Sequence, residues 1–358
     1  MRAMRLCGAV LLAALVVDAE GATTEAPPGE NRGAMLCSWR IAENDIRTLA
    51  EWGGNLGRYQ MAVGWGKTNA NRDAAEFNKW LDAKLDALVK VLEWGEKYGV
   101  RIVVDLHVPP GGRTEGGEMN MFHEKEYADL FVATWRRIAT RFKGDGRIYG
   151  YDLINEPTNK KPSPEGLDWW SLQVAAAKAI REVDPDVRII IESNEWAQAR
   201  TFAQMKPVPL GNVAYQVHVY TPKGYTHQGT GVPEACEAGS LSWPGGPEGW
   251  GRDWLRARLK PVRDFQLKHG ARIYVGEFSA SAWAPGAEKY IEDCIALFDE
   301  YGWDWTYHAF RESKSWNVEL ALDANGKFVH AEDTPRKRAL VAGLRGRSGW
   351  CAKSGKKE

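Results

Sequence analysis

Residues 151–157 read YDLINEP. Tyr151 to Asn155 would suit a buried strand, and Asn155, Glu156 and Pro157 then close it. An amide, a carboxylate and a proline in a row are expensive in a protein interior, where unpaired polar groups cost free energy. Proline also lacks an N–H and fixes φ, so it ends the strand. The stretch makes sense at the rim of a sheet, where the chain leaves the core and presents Glu156 to a cleft.

Working outward, further β-type runs occur at 33–38, 54–59, 101–106 and 147–153, and again at 187–192, 213–219, 272–277 and 303–309. Helical patterns lie between them at 76–98, 123–142, 165–183, 250–269 and 286–301, with a last one at 334–346. The first repeats apolar residues at helical spacing: Phe77, Trp80, Leu81, Leu85, Leu88, Val91 and Leu92. Apolar strands alternating with helices imply a parallel sheet covered on both faces. Eight units over roughly 310 residues fit an α/β fold of the (β/α)8 TIM-barrel type, as a single domain. A doubly wound open sheet would want a glycine-rich phosphate turn after an early strand. Gly53 and Gly54 precede their strand and open no such motif.

A barrel of this kind carries its chemistry at the C-terminal ends of its strands. Those ends hold Arg58, His107, Asn155 with Glu156, Glu195 with Trp196, His218 with Tyr220, Glu277, and His308. The opposite ends begin with residues such as Arg101, Arg147, Val187 and Arg272. Packing alone does not explain this polarity. Hydrolysis of a glycoside needs two carboxyl groups flanking one bond. Glu156 and Glu277, on the fourth and seventh strands, face each other across the mouth.

Composition narrows the partners. The chain has 358 residues, 44% of them hydrophobic, enough for a sizeable core. Its 47 basic and 47 acidic residues cancel, which leaves no electrostatic footprint for nucleic acid. The 17 Trp exceed what a core needs and point to flat surfaces for stacking on sugar rings. Arg2 and Arg5, then an apolar run from Leu6 to Val17 and small residues at Ala19, Gly21 and Ala22, read as a signal peptide over 1–22. Residues 23–32 read as a flexible leader, 33–347 as the catalytic domain and 348–358 as a basic tail. The protein is expected to be secreted or periplasmic and monomeric, with no stable membrane partner. Cys37, Cys236, Cys294 and Cys351 show no metal-type spacing. They could be paired or free.

The motifs GGNLGRYQ (53–60), VVDLH (103–107), YDLINEP (151–157), YQVHVY (215–220) and YVGEFSA (274–280) stand in an order and spacing that resemble glycoside hydrolase family 5. The likeness runs from about residue 33 to 346. It implies a retaining glycosidase of cellulase type, with no metal or other cofactor and a β-linked oligo- or polysaccharide as partner. Glu156 would be the acid/base and Glu277 the nucleophile. Arg58 and Tyr220 would hold Glu277, Asn155 would bind the sugar 2-hydroxyl, His107 would bind the sugar at the cleavage point, and His218 would lie beside the acid/base.

The tract WDWTYHAFRESKSW (303–316) departs from the family. The family commonly ends its eighth strand with a Trp platform, and His308 aligns there. Trp305, Trp316 or His308 itself could stand in. Trp39, Trp65 and Trp196 are further stacking candidates. The long loops after the third strand (VPPGGRTEGGEMN) and after the sixth (220–250, with Trp243 and Trp250) would wall a cleft and favour short chains or chain ends. Two readings from other classes stay open. One is a non-catalytic carbohydrate-binding barrel. The other is a metal-dependent barrel hydrolase built on His107, His218, His227 and His308.

Overall fold

The computed structural model describes residues 29–62 and 72–346. Its centre is a closed barrel of eight parallel strands in sequence order. They are β1 (Arg32–Cys37), β2 (Leu56–Gln60), β3 (Arg101–Asp105), β4 (Ile148–Asp152), β5 (Ile189–Glu192), β6 (Val213–Val219), β7 (Arg272–Phe278) and β8 (Asp304–Tyr307). β8 pairs back on β1, with Gly33 opposite Thr306. The helices outside are α1 (Glu43–Glu51), α2 (Ala74–Tyr98), α3 (Lys125–Arg141), α4 (Trp169–Arg181), α5 (Arg252–His269), α6 (Ala287–Tyr301) and α7 (Pro335–Arg345). A 3-10 stretch, Ala199–Gln204, takes the helix position between β5 and β6. The signal-peptide reading, Trp65 and the basic tail lie outside the described residues.

α2 shows how the sequence builds the outer layer. The Asp73 side chain accepts the backbone N–H groups of Ala75 and Glu76, and Gly99 ends the helix at φ 72°. Phe77, Leu81, Leu85, Leu88, Val91 and Leu92 are all buried on one stripe against the barrel. Each contributes about 1.5–3 kcal/mol on burial.

The domain starts earlier than the proposed leader boundary. The Gly29 and Asn31 amides donate to Asp304 Oδ1 at 3.0 and 3.1 Å, and Arg32 opens β1. So 29–32 belong to the barrel floor. α1 and a hairpin of Leu320–Leu322 with Phe328–His330 carry no long periodic pattern, so the sequence does not announce either. Cys37 and Cys294 are buried free thiols, and Cys236 is an exposed one. Among the described residues no helix is long and apolar enough to cross a membrane.

Candidate active site

Alternate residues of a strand point to opposite faces, so each strand feeds the barrel interior at every second position. The interior is layered. Leu56, Val103, Tyr149, Ile190, Ala214 and Tyr274 form an apolar cluster separate from the outer core. Two residues further along their strands lie Arg58, Asp105, Glu192 and Gln216, all fully buried. Asp152 joins them from β4. Another step up come His107 and His218, and above these Tyr220.

β4 and β7 each depart from strict alternation. The β6–β7 register slips after Val217, so that Val217 faces Val275 while His218 faces Glu277. Gly276 is the extra residue. A Cβ there would come within 2.6 Å of the Gln216 amide, so any larger residue would have to displace Gln216. The bulge reverses parity beyond it. Glu277 points into the mouth, and Phe278 turns outward against Phe298, Trp305 and Tyr307. β4 shifts likewise where Val103 pairs with Gly150.

Glu277 is held at both oxygens. Arg58 Nη1 donates to Oε1 at 2.8 Å and Tyr220 Oη donates to Oε2 at 2.8 Å. Burial pushes its carboxyl up, but His218 and His308 (in so far as they are protonated), Arg58 and His107 hold it well below the usual carboxylate range, and of these Arg58 is charged whatever the state of the rings. Burial pushes the Tyr220 phenol up, and Glu277 pushes it further, so Tyr220 keeps its proton as a donor.

Glu156 sits just beyond β4 at φ 51°, a left-handed conformation rare outside glycine. Three contacts hold it there. Its backbone N–H donates to Glu192 Oε2 at 2.7 Å. Arg113 Nη2 donates to the carbonyls of Asn155 and Glu156 at 3.0 and 2.9 Å. Arg113 itself stacks on Trp196, its guanidinium 4.8 Å from the ring centre. The Glu156 side chain meets His218 Nδ1 at 3.1 Å. One carboxylate oxygen each of Glu156 and Glu277, with a ring nitrogen of His218, lie within 4.8 Å of one another.

Beneath the pair Arg58 is buried among carboxylates. It donates to Asp152 Oδ2 at 2.8 Å, Glu192 Oε1 at 3.1 Å and Asn155 Oδ1 at 3.0 Å, and Asp105 Oδ1 is 3.3 Å away. Burial works against its charge, but Asp105, Asp152, Glu277 and Glu192 more than restore it. Burial raises Asp152 to about 6, and burial with Asp152 beside it raises Glu192 well above the usual range. The sequence reading missed Asp105, Asp152 and Glu192. A buried arginine demands such partners, and strand parity relative to Arg58 would have found two of them.

The remaining candidates divide. Asn155 spends Oδ1 on Arg58, which leaves its Nδ2 donors for a ligand. His107 is fixed between Asp105 Oδ2 and Gln60 Nε2, both at 2.8 Å. His308 Nδ1 contacts Tyr220 Oη at 2.7 Å, and the Trp316 ring lies 5.3 Å from it. His227 packs against Tyr220 and Trp316 at the same rim. Trp39 is 45% exposed on the loop after β1. Trp305, expected as a stacking platform, does not reach the sugar site. It is fully buried against Phe278, on the outer face of β8, because it differs in parity from the inward positions. Trp243 and Trp250 are also buried, in a cluster with Tyr225, Trp254 and Tyr290 that braces the loop after β6. Glu195 pairs with Arg200 at the rim and takes no part in the cluster.

Residues 17–314 match the cellulase family, glycosyl hydrolase family 5. The chain is 26% identical over 296 residues to endoglucanase C of Acetivibrio thermocellus, covering 75% of this chain and 84% of that protein. Cellodextrinase A of Ruminococcus flavefaciens is 25% identical over 269 residues, covering 73% and 76%. The structure of Thermotoga maritima Cel5A in complex with cellobiose superposes with a TM-score of 0.68 at 22% identity, covering 88% of this chain and 97% of that one.

Proposed function

The chain belongs to the cellulase family, glycosyl hydrolase family 5, and on that footing we propose that it is an exported, retaining β-glycoside hydrolase with Glu156 as acid/base and Glu277 as nucleophile. The observation that carries this reading is that one oxygen of each of the two carboxyl groups lies within 4.8 Å of the other. Retaining pairs stand about 5–5.5 Å apart, whereas inverting pairs leave about 6.5–9.5 Å for a water between them.

In the first half-reaction Glu277 attacks the anomeric carbon, and the bond to the leaving oxygen breaks. Glu156 gives that oxygen its proton. In the second half Glu156 takes a proton from water, whose oxygen attacks the same carbon and releases Glu277. Two inversions give a β product. Arg58 and Tyr220 keep Glu277 ionised and aimed, so its charge is ready before the sugar arrives. Asn155 Nδ2 supports the 2-hydroxyl as positive charge develops on the ring. His107 and His218 line the same sugar site. Trp316 and His308 form the inner wall where the family commonly has one Trp, and Trp39 and Trp196 serve outer sugar positions.

The relatives' names, endoglucanase and cellodextrinase, favour a β-1,4-glucan or its oligosaccharides as substrate. The apolar run at the N-terminus favours export to the periplasm or medium. A metal-dependent mechanism would use Glu156, His218 and Glu277 as ligands. Both oxygens of Glu277 already face donors, one of them a guanidinium, which disfavours a cation at that position. A non-catalytic sugar-binding barrel would have no need to hold Glu277 ionised.

The deciding experiment incubates the mature protein with mixed-linkage glucan, β-1,3-glucan, carboxymethylcellulose, glucomannan, galactomannan and xylan, and follows the first product by proton NMR. A β anomer from one polymer supports the reading and names the substrate. An α anomer refutes retention. Loss of turnover in Glu277→Ala, with recovery as an α-glycosyl azide on adding azide, identifies the nucleophile. Full activity in that variant would end the assignment, and so would loss of activity with EDTA.

A further inference from the structure

Glu312, in the loop after β8, is buried at 4% side-chain exposure. Its Oε2 accepts the Arg311 backbone N–H at 3.0 Å. Its Oε1 has no hydrogen-bond partner and stands 3.8 Å from His308 Nε2. The other nitrogen of that imidazole, Nδ1, is 2.7 Å from Tyr220 Oη, which is 2.8 Å from Glu277 Oε2. A continuous line of polar atoms therefore runs from an orphaned carboxyl oxygen to the proposed nucleophile.

The direction of each bond follows from proton counting. Tyr220 has one hydroxyl proton, and the Glu277 carboxylate can only accept it. Tyr220 Oη must then accept from His308, so Nδ1 carries the hydrogen. In a neutral imidazole that leaves Nε2 as a lone pair aimed at Glu312 Oε1. Two acceptors cannot face each other in a buried site without cost. A carboxylic acid on Glu312 resolves the conflict by donating to Nε2.

We propose that Glu312, as the protonated acid, is a positioning residue that donates to His308 Nε2, fixes His308 as the Nδ1–H tautomer, and so commits the Tyr220 proton to Glu277. The proposal rests on Glu277 being the nucleophile. The 3.8 Å gap is longer than a hydrogen bond, and such contacts often tighten when a substrate binds. Without the donor, His308 can switch to the Nε2–H tautomer. Its bare Nδ1 then takes the Tyr220 proton, and Glu277 loses one of its two donors.

The surroundings fit a neutral pair. Burial, with a smaller push from nearby Glu277, raises the Glu312 carboxyl to about 8 against the pull of the backbone N–H groups of Arg311, Glu312 and Phe310. Burial lowers His308. Facing Glu312 from β1 and the segment after it are Cys37, Arg40 and Asp45, with Arg311 beside it. Burial pushes the Cys37 thiol up to about 12, so it stays uncharged, and Asp45 is paired with Arg311.

The test compares Glu312→Gln, which keeps a neutral donor, with Glu312→Leu, which has none. It uses the polymer identified by the substrate panel, and nitrogen NMR of the His308 ring assigned by difference against His308→Gln. The expected result is that Glu312→Gln keeps kcat within about threefold, while Glu312→Leu loses roughly tenfold in kcat with KM little changed. In a Tyr220→Phe background Glu312→Leu should add no further loss. His308 should be the Nδ1–H tautomer in the parent and in Glu312→Gln. Equal losses in both variants would mean the carboxylate charge is what matters, and would overturn the proposal. Parent-like kcat in both, or an Nε2–H tautomer in the parent, would also overturn it. If Glu312→Leu does not fold, Glu312→Gln and the parent tautomer decide. The NMR readout needs no turnover. Failure of azide rescue in Glu277→Ala would refute the nucleophile assignment and leave the tautomer result standing by itself.

Discussion

The backbone N–H of Glu156 donates to Glu192 Oε2 at 2.7 Å. The buried charge layer of the barrel thus reaches up and holds the backbone of the proposed acid/base. A non-glycine residue in the left-handed region costs about 1–3 kcal/mol and persists only where its neighbours over-determine it. Glu192 does so from below through the N–H, and Arg113 from the side through the carbonyl.

Arg113→Met should release that carbonyl while keeping much of the stacking on Trp196. Glu156 would then wander from the leaving oxygen. Turnover of the natural glycan should fall by about tenfold or more, since misplacement of a catalytic group by about 1 Å costs up to about a hundredfold. Activated aryl glycosides need no proton from Glu156 and should lose far less. Equal losses on both, measured as kcat, would place Arg113 outside the acid step.

Arg58→Met should be severe for folding as well as activity. It removes the guanidinium that donates to Asp152, Glu192 and Glu277. Breaking a buried ion pair by deleting one partner costs about 3–5 kcal/mol. Denaturant unfolding would read the loss directly. A midpoint equal to the parent's would show that the carboxylates simply take up protons.

Gly276→Ala tests the bulge. The added Cβ would meet Gln216, whose amide is already engaged by Glu192 and His218. Gln216 must move, and Glu277 with it. A kcat loss of roughly tenfold or more is expected with only about 1–3 kcal/mol of destabilisation. Unchanged kcat would mean that Gln216 yields freely.

These residues show what can be read from the chain and what cannot. Arg58, Asn155, Glu156, His218, Tyr220 and Glu277 stand within short motifs, and the structure gathers them in one mouth. Trp305 and His308 are three residues apart at the end of one strand, so in a strand without a bulge they face opposite sides, and regular parity argues against Trp305 in the sugar site. The bulges at Tyr149 and Gly276 are different. Nothing in IYGYD or RIYVGEF marks which residue is extra, because register depends on the neighbouring strands. Glu312 was invisible for a related reason. It follows β8 by a loop, and only the fold brings it behind His308.

Glu312 also makes a stability prediction that needs no substrate. Its folded carboxyl titrates near 8, against an ordinary value of 4.5. Between those two values the folded state holds a proton that the unfolded chain has released. Stability therefore falls as pH rises through that window, and the loss is complete above it. Glu312→Gln has no proton to lose. Its melting temperature should match or exceed the parent's at about pH 5, and the gap should widen up to about pH 8–9 and then level off. A gap that stays constant across this range would show that Glu312 is ionised throughout in the folded protein, and the neutral donor chain to Glu277 would fall with it.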